Sequence, residues 1–126
     1  MTDETEFLSL AEILQIAEGV LPEVAIRELG LIESAAARPQ TTVFGDLAYP
    51  TLYQQAGALL HSLARNHPLV DGNKRLAWAS ARVFLLMNDV DLNYDIDEAE
   101  QLVLAVARGE CEVEEIAQSL EAWATH

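Results

Sequence analysis

Apolar residues recur at helical spacing along the two longest uninterrupted stretches of the chain. No other sequence feature limits the fold as much. Leu52, Ala56, Leu59, Leu60 and Leu63 share one face of a helix expected from Pro50 to Asn66, with proline near its first turn. Leu76, Ser80, Val83, Phe84 and Met87 form one stripe of a second helix, expected from Asn73 to Asn88. Ser9-Leu10-Ala11-Glu12 reads as a capping box that opens a first helix to about Glu18, punctuated by Gly19 and Pro22. Ile26 to Ala37 favours helix, with Gly30 as a break and Leu31, Ile32 and Ala35 inward. Arg38-Pro39 ends it, because a residue before proline avoids the helical region. Asp95 or Asp97 caps a helix that runs to Arg108 and stops at Gly109. Val113 to Trp123 is the last, with Val113, Ile116, Ala117, Leu120 and Trp123 inward. Only Gln40 to Asp46 combines β-branched and aromatic residues with a turn signal, which suits a small hairpin or extended flap. The expectation is an all-α, compact bundle of about six helices with one β-like flap, and residues 1–126 as a single domain.

Composition narrows the function classes. The chain of 126 residues is 51% apolar, which disfavours disorder. Its one cysteine, Cys111, excludes an internal disulfide and suits a reducing cytoplasm. No apolar run approaches the roughly 18 residues of a membrane span, and the start MTDETEF is acidic where a signal peptide is basic. The formal net charge of −14 argues against direct contact with nucleic-acid phosphates. That charge is uneven. Residues 1–33 hold eight acids and one base, Arg27, and residues 91–126 hold ten acids and one base, Arg108. Residues 34–90 hold three acids and five bases. The acidic ends read as solvated faces, and the basic middle as an anion site inside an acidic shell.

Between the two strongest helical stretches lies His67-Pro68-Leu69-Val70-Asp71-Gly72-Asn73-Lys74-Arg75. Asp71-Gly72 is a turn, and the following residues open a helix. A helix start presents unpaired N–H groups and a partial positive charge, which suit a phosphate. Gly72 leaves out a side chain that would block close approach. Lys74 and Arg75 add two cations beside that anion site. Asp71 is a hard oxygen ligand suited to Mg²⁺ on nucleotide phosphates. His67 is the one side chain in the string that accepts a proton near neutral pH. A base, a metal ligand and an anion cradle together make the parts of a phosphoryl- or nucleotidyl-transfer site. Residue by residue, a plain turn, a solvated Lys-Arg pair and a histidine ending a helix describe the same string.

As one string, it resembles the Fic/Doc family motif, His-x-Phe-x-Asp/Glu-Gly-Asn-Gly/Lys-Arg, and is closer to the Doc (death-on-curing) branch, the toxins of toxin–antitoxin pairs. Leu29 to Pro39, Phe44-Gly45, Tyr49-Pro50, Leu59 to Arg82 and Leu102 to Glu110 also look like Doc sequence. The resemblance implies a helical Fic/Doc-like fold with a flap beside the site. It implies a kinase that moves the ATP γ-phosphate to a threonine of elongation factor Tu and blocks translation, neutralised by a Phd-like antitoxin. It implies His67 as general base, Asp71 on Mg²⁺, Gly72 and Asn73 in the anion hole, and Lys74 and Arg75 on phosphates of ATP. Fic enzymes transfer AMP instead. Their pattern has glycine where this chain has Lys74, and a second arginine where it has Trp78, so the resemblance implies a reversed ATP. Leu69 stands where the family has an inward-packed Phe. Looser packing with retained chemistry is expected there, while a silent relative that only binds a nucleotide or partner stays open.

The remaining candidates have plain readings. His61 reads as a half-exposed helix histidine, Cys111 as a buried thiol, and Trp78 and Trp123 as core. The flap from Pro39 to Asp46 reads as a connector or as a docking edge for a protein substrate.

Overall fold

Ser9, Thr51 and Asp95 each turn a side-chain oxygen onto the free N–H groups of the next turn, and a helix starts after each. In a computed structural model, residues 4–125 are described. Six α-helices form among them: α1 (Leu10–Val20), α2 (Leu29–Ala37), α3 (Leu52–Asn66), α4 (Asn73–Met87), α5 (Ile96–Ala107) and α6 (Val113–Trp123). The Ser9–Glu12 capping box is present, and Thr51 forms a second with Gln54. The expected all-α bundle with a small flap is the fold observed.

Helix α3 is the central element, packed against α4 and α6 and flanked by α2 and α5. It can be surrounded because its residues from Gln55 to Leu60 are all buried and include the small run Ala56-Gly57-Ala58. Gly57 lets α6 come close: a Cβ there would lie 3.1 Å from the Val113 carbonyl oxygen. Buried residues of all six helices join in one apolar core, from Ile13 and Ile32 through Leu59, Leu63 and Phe84 to Val106 and Leu120. Trp78 and Trp123 are half-buried with Tyr94, packed edge to face.

The flap is a two-residue hairpin. Strands β1 (Thr42–Val43) and β2 (Asp46–Leu47) pair through a Phe44-Gly45 turn at φ of 53° and 86°. Two positive φ values make the tight turn whose twist matches a hairpin. At its base, Arg38 donates from Nε to the Tyr49 hydroxyl at 3.0 Å and from one terminal nitrogen to Ser62 Oγ at 3.0 Å.

Four differences from expectation stand out, and two of them come from long-range pairing. Arg38, although it precedes proline, keeps helical dihedrals at φ −56° and ψ −43°, and the chain continues as a 3-10 turn to Gln40. Helix α1 runs through Gly19 to Val20. Helix α2 begins at Leu29 and not at Ile26, because Ala25 to Glu28 pairs with the loop after α3: Ile26 lies in an isolated antiparallel bridge with Leu69. Strands β3 (Asp91–Leu92) and β4 (Ala124–Thr125) pair antiparallel, a contact the sequence reading did not include. No described helix is long and apolar enough to cross a membrane.

Candidate active site

Helix α3 ends at His67, which caps it in the left-handed conformation at φ 51°. A non-glycine residue there is strained, so surrounding contacts must hold it. Arg27 does so: its Nε donates to the His67 carbonyl at 2.7 Å and a terminal nitrogen to the Asn66 carbonyl at 2.8 Å. The backbone continues the clamp. The Arg27 and Glu28 N–H groups donate to the Pro68 carbonyl, and the Val70 N–H donates to Ala25. Sequence reasoning passed over Arg27. The available signal was a lone base among eight acids.

Asn73 fastens the same loop from the other side. Its Oδ1 accepts the Leu69 N–H at 2.8 Å, and its Nδ2 donates to the Leu69 carbonyl at 3.0 Å. Both groups of Leu69 are thereby satisfied within the core. The Leu69 side chain is 1% exposed, so it takes the inward position expected for the family's Phe.

Gly72 opens α4 at φ 89°. A Cβ at this position would lie 2.7 Å from the Leu21 side chain. The physical reason for glycine is therefore the backbone conformation and the packing against Leu21. The space expected to admit a phosphate is occupied by Leu21. The Gly72 N–H is donated to Asp71 Oδ1 at 2.9 Å, so it is not free for an anion hole. The free donors lie one step on. No side chain caps α4, and the N–H groups of Asn73, Lys74 and Arg75 have no acceptor among the described residues. Every other helix start but that of α2 carries a side-chain cap or capping box.

Those donors open onto a cleft of about 980 Å³, lined by Asp71, Gly72, Asn73, Lys74 and Arg75. Leu21 and Pro22 lie on one side, and Trp78, Tyr94, Ile96 and Glu100 on another. Lys74 and Arg75 are exposed and form no ion pair among the described residues. Arg75 donates from one terminal nitrogen to the Val20 carbonyl at 3.4 Å. Two cations without a carboxylate partner, beside three free N–H groups, concentrate positive potential in an otherwise acidic chain. His67 is exposed and does not line this cleft. It stands at the opposite end of the loop, with no hydrogen bond from its imidazole to the described residues. No group of three or more metal-ligating side chains occurs among the described residues. A single carboxylate, Asp71, still fits Mg²⁺, which keeps several waters and takes other ligands from phosphate oxygens.

Away from the cleft, His61 is more enclosed than expected. Its Nδ1 lies 2.9 Å from Arg38, and its Nε2 lies 3.6 Å from Glu112. Burial and then the Arg38 guanidinium push its pKa below the ordinary value; Glu112 opposes them, and Arg65 adds a smaller lowering. The folded state thus binds a proton less readily than the unfolded chain. Stability is unaffected above pH about 6.5, declines as pH falls below it, and is fully reduced below the lowered folded pKa. His61→Asn keeps an acceptor for Arg38 and should flatten the acid side of the stability curve. The check is the loss in Tm between pH 8 and pH 5; equal losses in both proteins would contradict the assignment. Cys111 is buried, and burial with Glu115 and Glu112 raises its thiol pKa, as suits an idle thiol. His126 lies outside the described residues.

Comparison with known proteins bears on the same segments. The sequence profile of the Fic/DOC family matches residues 3–85, which span α1 to most of α4 and contain the whole loop. Toxin Doc of Mycolicibacterium smegmatis is 49% identical over 125 residues, covering 95% of each chain. A loop clamped at both ends, an uncapped helix start and a near full-length relative agree: the chain belongs to the Fic/DOC family, in its Doc toxin branch.

Proposed function

We propose that this protein is a cytoplasmic toxin that phosphorylates a protein hydroxyl, with ATP and Mg²⁺ as co-substrate and cofactor and a threonine of elongation factor Tu as target. The observation that carries the reading is the uncapped start of α4 at Asn73, flanked by Lys74 and Arg75. ATP would supply the phosphoryl group. The N–H groups of Asn73, Lys74 and Arg75 hold its phosphates, and the Lys74 ammonium and Arg75 guanidinium neutralise their charge. Asp71 would hold the metal ion, which would offset phosphate charge when bound. His67 would take the proton from the target hydroxyl on an imidazole nitrogen. Meanwhile the hydroxyl oxygen bonds to the γ-phosphorus and the bond from that phosphorus to the β-phosphate oxygen breaks, releasing ADP. The clamp by Arg27 and Asn73 fixes the distance between base and cradle, which is where positioning enters the rate. The exposed flap β1–β2 offers an edge to the target. A Phd-like antitoxin would neutralise the protein by covering an apolar groove.

Incubation with elongation factor Tu and ATP labelled on either the γ- or the α-phosphate tests this. Label from the γ-phosphate alone is expected on the target. Label from the α-phosphate would make the protein an AMP transferase. Label from neither would leave a silent nucleotide- or partner-binding relative.

A further inference from the structure

Every residue of the flap from Gln40 to Ala48 is exposed, and each of its strands is two residues long. A hairpin that short does not hold its shape in water by itself, so its order has to come from its two roots. One root is Arg38, at the end of α2, and the other is Tyr49, just after β2; both are half-buried. Arg38 joins them. Its Nε donates to the Tyr49 hydroxyl at 3.0 Å, and its Cζ lies 5.5 Å from the centre of the Tyr49 ring. One terminal nitrogen reaches the body of the molecule: it donates to Ser62 Oγ at 3.0 Å and meets His61 Nδ1 at 2.9 Å, both on α3. Gln55 adds a bond from its Nε2 to the Tyr49 carbonyl at 2.9 Å. An arginine can only donate, so His61 Nδ1 accepts, and the one proton of the neutral ring sits on Nε2, the nitrogen on the Glu112 side. A second proton would turn an N–H onto the guanidinium and break the contact.

We infer that Arg38 is the positioning residue of the flap, pinning Tyr49 to α3, and that it does so only while His61 carries no proton on Nδ1. The consequence for target docking rests on the flap reading above; the pin itself does not. Three charged groups act on the His61 ring: Arg38 from the end of α2, Glu112 from the cap of α6, and Arg65 from its own helix. Burial and then Arg38 outweigh the exposed Glu112 carboxylate, so the ring is neutral above pH about 6.5 and charges only in acid. The flap is therefore ordered at neutral pH and loosened in acid. A target that docks on it is held less well there, through the flap and not through the start of α4.

Backbone amide relaxation of the full chain, without ligand, tests the pin at neutral pH and at a pH where the His61 ring signals show it protonated. The wild-type amides from Val43 to Asp46 are expected to be rigid at neutral pH and to lose order in acid. His61→Asn keeps an acceptor for Arg38 and cannot titrate, so its flap should stay rigid at both. Tyr49→Phe keeps the ring and removes the hydroxyl, so its flap should be loose already at neutral pH. A kinetic readout separates positioning from fold. Tyr49→Phe should raise KM for the target protein by about 2- to 10-fold, the usual value of one hydrogen bond, and leave kcat and KM for ATP unchanged. A wild-type flap equally rigid with His61 neutral and charged, or a His61→Asn flap that loosens in acid like wild type, overturns the dependence on His61. A Tyr49→Phe flap as rigid as wild type at neutral pH overturns the pin. If the relaxation results hold while KM for the target does not move, the pin stands and it is the flap reading that fails.

Discussion

His67→Ala should lower phosphate transfer to the target by about 10²- to 10⁴-fold, the usual contribution of a positioned general base, while ATP binding and Tm stay near wild type. The two halves of that result have separate causes. His67 is exposed, and only its carbonyl is used in the structure, where it receives Arg27 Nε. Alanine keeps the carbonyl, so the clamp on the end of α3 survives. On the proposed reading the nucleotide is held elsewhere, by the start of α4 with Lys74 and Arg75, so affinity should be retained. Histidine tolerates the left-handed conformation at φ 51° somewhat better than alanine does, so a small loss of Tm is expected from the backbone alone. Single-turnover transfer and nucleotide affinity, measured side by side, check the prediction. Transfer within a few-fold of wild type would remove His67 from the chemistry.

Asn73→Ala should be the most damaging single change to the fold near the site. The Asn73 amide is the recorded partner of both the N–H and the carbonyl of Leu69. Leu69 is buried, so no water replaces the lost partners. Leaving a buried polar group unpaired costs about 1–3 kcal/mol, and two groups are involved, so a loss of about 2–6 kcal/mol is expected. In a domain of this size that lowers Tm by on the order of 10 °C. Asn73→Asp keeps the acceptor for the Leu69 N–H and loses only the donor. A carboxylate at a helix start is also favoured by the helix dipole, so Asp should recover part of the loss. Thermal melts rank the three proteins. An Asn73→Ala protein that melts within a degree or two of wild type would show that the loop does not depend on this clamp.

Much of this architecture was legible because it is local. The 3.6-residue period placed α3, α4 and α6 almost to the residue, and Ser9 with Glu12 marked the start of α1. The flap was readable from its turn, since Phe44-Gly45 meets a geometric demand of its own. The misplaced segments depend on partners far along the chain. Ala25 to Glu28 has helix-compatible residues, but its backbone is taken by Pro68, Leu69 and Val70, some forty positions away. β3 and β4 are two residues each, too short for any alternation, and are joined across 34 positions. At the site, the residue types were legible and their assignments less so. Gly72 answers to Leu21, and the Asn73 side chain to Leu69, neither of which a motif displays. Arg27 holds the loop through main-chain carbonyls, a contact that leaves no pattern in side-chain identity.

Nucleotide phosphates are expected on the free N–H groups at the start of α4. Backbone amide chemical shifts of the full chain, followed while Mg-ATP is added, report on those groups one by one. The largest shifts are expected at Asn73, Lys74 and Arg75, with smaller ones at Trp78 and Tyr94 and little change in α6. Saturating nucleotide that leaves the Asn73, Lys74 and Arg75 amides in place, or moves residues only elsewhere, would contradict it.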